Sequence, residues 1–376
     1  MRVALVTENF LPKLDGVTRT LAMLLDHLHL RGHQALVLAP EGSPRRYAHA
    51  RVFTARGVPL PFYPELRLLF PSPQLERLLE RFRPDIVHVA DPMLLGAAGV
   101  LWAQRLNVPV VASYHTNLAA YCAYYHLSAL TELTWTYRRF IHNQCAVTVA
   151  PSLSTAAALT RKGFERVAVW PRGVDSALFT PERRTPAWRA RIAGDPARPI
   201  LLYAGRLAHE KNLAAFHPLL PLLAAHNAQL VFVGDGPARA DLEVSCQGAS
   251  VTFIGYLRGA ELAEAYASAD VFVFPSLTET FGQVVLEAMA SGLSVVAFDS
   301  EGMHDLVCHA ETGFLAPVSS GLMTSVEYLL SHPEQRVIFG ARARQEATRR
   351  TWAAVMDGLL IRYRDAIASH SQRPAA

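Results

Sequence analysis

Cysteine is scarce. Four residues (Cys122, Cys145, Cys246, Cys308) are scattered through 376 positions with no C-x-x-C pair, which argues against a disulfide framework and against a zinc knuckle. Long apolar runs are missing too: none approaches the ~20 residues needed to span a bilayer. Met1 to Phe10 places Thr7, Glu8 and Asn9 after only four apolar residues, too few for a signal peptide. The expectation is a cytoplasmic protein. No D-x-D motif occurs, so no divalent metal is indicated, and no G-x-G-x-x-G opens the first helix, which disfavours a classical dinucleotide enzyme. Lysine is rare as well: Lys13, Lys162 and Lys211 are three of 36 cations. Each is a candidate for a place that prefers a compact point charge, with drift an equal explanation.

The net charge of +4 hides an asymmetry, since residues 1–170 carry 18 basic against 11 acidic side chains and the remainder 18 against 21. A basic first half suits an anionic membrane surface, at about 1 kcal/mol per well-placed cation, or an ordinary soluble surface. The excess is small and no nucleic-acid motif accompanies it, so a nucleic-acid partner is not expected.

The length implies two domains, and the pattern agrees. Strands are expected at Arg2 to Val6, Ala35 to Ala39, Ile86 to Val89, Val108 to Ser113 and Ala146 to Val149. Helices at about Val17 to Arg31, Pro92 to Leu106, Thr131 to Cys145 and Ser152 to Lys162 alternate with them, the signature of a doubly wound parallel sheet. The pattern breaks into Pro, Arg and Asp around Gly173 to Pro199, read as a hinge. It restarts with strands at Ile200 to Tyr203, Leu230 to Val233, Val251 to Ile254, Val271 to Phe274 and Ser294 to Phe298. A last helix, about Trp352 to Ile367, is expected to cross back onto the first domain, with a disordered tail beyond it. The boundaries are 1–172, 173–350 and 351–376, and two such sheets in tandem let a ligand cleft form between domains.

The most informative stretch is ADVFVFPSLTETFGQVVLEAMASG. Val271 to Pro275 reads as a buried strand that passes almost directly into a helix, with Thr280 and Gln283 as a capping box, Gly282 in the first turn and Gly292 at the close. Open α/β sheets bind ligands at such strand ends, and a helix N-terminus favours an anion. Glu279 and Glu287 flank it. Carboxylates accept hydrogen bonds from sugar hydroxyls, so an anion site ringed by acids suits a nucleotide sugar. After the strand Ile200 to Tyr203, Arg206 and Lys211 are expected on the same sheet edge, where two cations would stabilise a departing diphosphate. In the first domain Gly16, His115 and Asp91 all follow strand ends. A turn glycine, a structural histidine and a helix-capping aspartate are the plainer readings of these three.

Together TENFLPKLDGV, HVADPMLLG, VVASYHTN, VWPRGVD, YAGRLAHEKNL, VGDGP and FPSLTETFGQVVLEAMASG resemble family 4 glycosyltransferases of the GT-B fold, two Rossmann-like parallel-sheet domains facing across a cleft. The resemblance runs through nearly the whole chain. It implies retaining transfer from a nucleoside-diphosphate sugar with neither cofactor nor metal. It also implies an acceptor-binding first domain and a donor-binding second. On it Arg206 and Lys211 hold the diphosphate, Glu287 the ribose, and Glu279 with Thr280, Phe281 and Gly282 the donor sugar. Gly16 meets the diphosphate and His115 lies beside the reacting sugar. Within the family the chain is most similar to GDP-mannose-dependent α-mannosyltransferases and to lipid glycosyltransferases such as sulfoquinovosyldiacylglycerol synthase. That similarity suggests a GDP- or UDP-linked mannose or glucose donor and a lipid or glycolipid acceptor. Pro61 to Phe70, including Arg67, and Tyr121 to Tyr125 are candidates to touch membrane or acyl chain, with a peripheral seat on the inner membrane face as the consequence. Pro218 and Pro221 interrupt the helix expected after Lys211, placing Pro218 in its first turn. Ser300 to His304 stands as a loop where relatives often have two glycines, which leaves the hexose open. A nucleotide-sugar 2-epimerase of the same fold and a non-catalytic nucleotide-sugar-binding protein remain as rivals.

Overall fold

Short runs of β-branched and aliphatic residues bounded by Gly, Pro and Asp become fully buried parallel strands. The computed structural model describes residues 1–13, 15–60, 63–118, 128–318 and 321–372. The chain divides into two units, Met1–Arg172 with the segment from Trp352 onward, and Gly173–Thr351.

In the first unit the described residues form an eight-stranded sheet. Its order is Val167–Val169, Val147–Ala150, Val110–Ser113, Ile86–Ala90, Arg2–Thr7, Gln34–Pro40, Ala50–Ala55 and Arg46–Tyr47. All neighbours are parallel except the last pair. The register aligns Thr7 with Ala90 and Ala90 with Ser113, so Glu8, Asp91 and the Tyr114–His115 turn leave adjacent strands at one edge. Helix Gly16–Leu30 starts where the Asp15 carboxylate accepts from Thr18 N at 2.8 Å. The edge strands at 46–55 and the hairpin of Gly57–Leu60 with Tyr63–Leu69 carry no clean alternation, and the sequence reading lacks them.

Helix Trp352–Ser371 belongs to this unit. Its Trp352, Val355, Met356, Leu359, Leu360 and Tyr363 share one core with Val3, Leu5 and Ile86. The helix does not stop at Ile367, as the sequence suggests, but continues to Ser371, where His370 contacts Asn107. Pairing that far out adds a turn to a segment expected to be tail.

The second sheet runs Val251–Gly255, Gln229–Val233, Ile200–Ala204, Val271–Phe274, Ser294–Phe298 and Gly313–Ala316, parallel throughout. The expected hinge at 173–199 is corrected. Val174 bridges to Thr351, Pro186–Ala193 is a helix, and Phe179 and Trp188 lie in the core of the second unit. Buried aromatics, which the Pro and Arg content obscured, build the segment into the domain. Beyond Lys211 the chain forms a 3-10 helix, Leu213–Leu219, with Pro218 inside it, and only then the α-helix Leu220–Ala225. Pro221, not Pro218, occupies the first α turn, where its missing N–H costs nothing.

Candidate active site

In the second unit strand Val271–Phe274 is followed by an eight-residue loop and helix Gln283–Ala290, so the direct strand-to-helix step is corrected. The capping box does not form. Gly282, not Thr280, is the N-cap, at φ +90, and the Gln283 amide donates to Gly173 O at 3.1 Å. Phe281 is 4% exposed and sits in the core, so the chain turns inward there and needs a left-handed residue to enter the helix. A Cβ on Gly282 would also stand 2.4 Å from Met303 Cε. The supposed loop at 300–304 is a short helix, Glu301–His304. It presses Gly302 so closely that a Cβ would lie 2.5 Å from Glu279 O.

Arg206 and Lys211 leave the carboxyl end of strand Ile200–Ala204. Each already has a carboxylate: Arg206 pairs with Glu210 and Lys211 with Glu279. Burial opposes the charge on Lys211, but Glu279, Tyr203 and Glu210 together outweigh it and raise the pKa above the ordinary value. Burial likewise opposes ionisation of Glu210, yet its own backbone N–H, Arg206 and Lys211 hold the carboxyl below the usual range. The two loops are joined by Thr278 Oγ1 donating to Glu210 O at 3.3 Å. The start of the Arg206 loop is seated backbone on backbone, because a Cβ on Gly234 would come within 1.9 Å of Gly205 O. Only glycine allows that approach. Glu287 is 2% exposed and accepts from Tyr266 at 3.4 Å. Thus Arg206, Lys211, Glu279 and Gly282 come from one sheet edge, and Glu287 from the middle of the helix.

In the first unit His115 is 6% exposed. Its Nε2 lies 2.7 Å from Ser113 Oγ, and Arg172 Nη2 lies 2.8 Å from its Nδ1. Burial and Arg172 press its pKa well below the ordinary value, so the ring is neutral. Asp91 does not cap the following helix, whose N-cap is Met93. It adopts φ +46 and accepts from His115 N at 2.9 Å, Thr116 N at 3.2 Å and Arg138 at 2.6 Å. It is therefore the clamp of the His115 turn. Gly16 is the exposed first residue of its helix, with open space where a Cβ would stand; the fold itself does not demand glycine there. Arg67 donates to Gly57 O within its hairpin at 2.7 Å. Tyr121 to Tyr125, and Pro61 and Phe62 of the other membrane candidate, lie outside the described residues.

Sequence reasoning missed Glu8, Glu210, Arg138 and Arg172. Glu8, one residue past the first strand, is 3% exposed. It accepts from Gly96 N at 3.0 Å, Met93 N at 3.2 Å and Leu69 N at 3.3 Å. The buried carboxylates have a local signal, since each stands directly beyond a strand or beside a lysine. Arg138 has none, and Arg172 lies within VWPRGVD without any pattern that marks its partner.

The description Glycosyltransferase Family 4 matches residues 14–178, and Glycosyl transferases group 1 matches residues 198–332. The chain is 39% identical over 384 residues, spanning all of both chains, to the GDP-mannose-dependent alpha-mannosyltransferase of Mycolicibacterium smegmatis. It belongs to glycosyltransferase family 4. This family 4 chain is also 36% identical to the sulfoquinovosyl transferase of Arabidopsis thaliana, over 94% of its own length and 71% of that protein's. Of solved structures, sucrose-phosphate synthase from Thermosynechococcus elongatus superposes with TM-score 0.75 at 20% identity, covering 98% and 99% of the two chains. Anabaena HepE with UDP and glucose gives 0.76 at 18%, covering 97% and 100%. The fold is GT-B, with two Rossmann-like parallel-sheet domains, and the family 4 chain is an enzyme, a hexosyltransferase.

Proposed function

We propose that this enzyme is a retaining, metal-independent hexosyltransferase that moves mannose or glucose from a GDP- or UDP-linked donor to a lipid or glycolipid acceptor. The observation that carries the reading is the Lys211–Glu279 pair, its Glu279 three residues before the Gly282 helix start, with Arg206 leaving the same sheet edge. Without ligand, Glu279 neutralises the lysine. A diphosphate drawn to the helix N-terminus competes for Lys211, and as the lysine turns to phosphate the Glu279 carboxylate is released to accept from sugar hydroxyls. Diphosphate and sugar recognition are thereby coupled. Arg206 adds charge where negative charge grows as the glycosidic bond breaks. Glu287 is assigned to the ribose hydroxyls. The leaving phosphate oxygen serves as base for the incoming hydroxyl on the same face, so no side-chain nucleophile is required and the anomeric configuration is kept. Arg206, Lys211 and the helix start supply the charge neutralisation in this reading.

The lipid acceptor is supported by relatives. One is the alpha-monoglucosyldiacylglycerol synthase of Streptococcus pneumoniae, 27% identical over 84% of this chain and 75% of that one. Among the described residues no helix is long and apolar enough to cross a membrane, and a peripheral position on the membrane face is proposed with the acceptor. The test is an assay of GDP-mannose and UDP-glucose with diacylglycerol and glycolipid acceptors in EDTA. An α-linked product from an α-linked donor is expected. Inversion, loss of transfer in EDTA, or turnover of donor without acceptor would each overturn the corresponding part, the last in favour of an epimerase.

A further inference from the structure

The hydrogen bonds around His115 extend well beyond its own turn. Ser113 Oγ, 2.7 Å from His115 Nε2, is also 2.7 Å from His88 Nε2 on the neighbouring strand. His88 Nδ1 meets the hydroxyl of Tyr363 on the terminal helix. At the other end stands Arg172, whose Nη2 reaches His115 Nδ1. All five side chains are buried.

Arg172 settles where the hydrogens lie, because a guanidinium only donates. His115 Nδ1 is therefore the bare nitrogen, and its proton sits on Nε2. That proton is donated to Ser113 Oγ. The serine hydrogen then points at His88 Nε2, and the His88 proton, left on Nδ1, is donated to Tyr363. Every hydrogen in the chain runs one way, from Arg172 to Tyr363. The reverse order would aim a His115 N–H at a guanidinium N–H. Arg172 cannot readily turn aside, since its Nη1 donates to Trp170 O at 2.9 Å and to Pro171 O at 3.3 Å, with the guanidinium over the Trp170 ring at 4.9 Å. Burial and the nearby Arg172 push His88 down to about 3, so neither imidazole gains a second proton that would break the sequence.

We propose that Arg172 is a positioning residue that fixes His115 as its neutral Nε2–H tautomer, with Ser113, His88 and Tyr363 accepting in turn down the chain of bonds. The chain of bonds set by Arg172 thus runs through a ring at the carboxyl edge of the first sheet to a residue on the terminal helix, 248 positions beyond His115. With both nitrogens committed, His115 contributes a fixed dipole and shape rather than a proton acceptor. The kinetic part of the proposal rests on the reading that His115 lies beside the reacting sugar; the tautomer part does not.

The experiment uses the enzyme with 15N-labelled histidine, reading the His115 ring nitrogens by NMR in wild type, Arg172→Leu and Tyr363→Phe. In wild type the proton is expected on Nε2 alone. In Arg172→Leu the tautomers should mix, and kcat should fall about tenfold with the donor KM unchanged, the behaviour of a misoriented imidazole. In Tyr363→Phe, where Arg172 still donates to Nδ1, the proton should stay on Nε2. A wild-type proton on Nδ1, or an unchanged Nε2–H tautomer in Arg172→Leu, would overturn the proposal. His115→Ala, run alongside, separates the two readings. Normal turnover there would overturn the catalytic consequence while the tautomer result still judges the chain of bonds.

Discussion

Lys211 and Arg206 show how a residue identified as a free cation changes meaning once its partner is seen. Either is drawn from the sequence as a charge waiting for phosphate, yet each is held by a carboxylate one loop away or one turn on. Two outcomes follow at this scale. Lys211→Ala and Arg206→Ala should each lower turnover at least about 100-fold in protein that still folds, since the lost contact is worth about 3 to 4 kcal/mol in the transition state, with a lowered melting temperature from the carboxylate left unpaired; steady-state kinetics and melting curves check this. Glu279→Gln should tighten binding of the nucleoside diphosphate alone, by removing its internal competitor, while weakening discrimination in favour of the sugar-bearing donor. Calorimetric titration with both ligands decides it. Equal losses for the two would show that Glu279 does not exchange Lys211 for sugar.

Elements carry their own tests, because loops here are seated by backbone contact. Gly302→Ala would drive a methyl into Glu279 O, 2.5 Å away. The loop before helix Gln283–Ala290 must then move, at about 1 to 3 kcal/mol, and donor affinity should fall with it in equilibrium binding. At the first sheet Glu8 joins the hairpin and helix Leu94–Arg105 through backbone N–H groups. Burial pushes its carboxyl from the ordinary 4.5 up to about 7, with the N–H groups of Gly96, Leu69 and Met93 pulling back. The folded pKa is the higher one, so the protonated form is the one folding favours. Stability from this group is full below pH 4.5 and is lost as pH rises through 7, by about 3 kcal/mol at 1.36 per unit. Urea titrations across that range should show the fall in wild type and not in Glu8→Gln.

On the scale of the whole molecule, the alternating strands were legible because parallel strands buried on both faces are short continuous apolar runs. Ile200–Ala204 and Ser294–Phe298 are plain examples. The strand Gly313–Ala316 was not, since it begins with a glycine that must lie against Val295 O. The capping box at Thr280 failed for a tertiary reason, the burial of Phe281, and Arg172, though inside VWPRGVD, was not singled out because its partner is 57 residues away. Glu279, Glu287 and both cations were readable as residues; the pairing of Lys211 with Glu279 was not, since it belongs to the closing of two loops. Removing the helix Trp352–Ser371 should leave the first unit unable to fold, because its apolar face completes the core around Val3, Leu5 and Ile86. Loss of soluble protein on truncation after Thr351 would show it.

The most direct measurement is a crystal structure with an intact nucleoside-diphosphate sugar. The pyrophosphate is expected within hydrogen-bond distance of the backbone N–H groups at 280–282, with Lys211 turned to it and Glu279 turned to the sugar. Phosphates bound away from that turn, with the Lys211–Glu279 pair unbroken, would contradict the central claim.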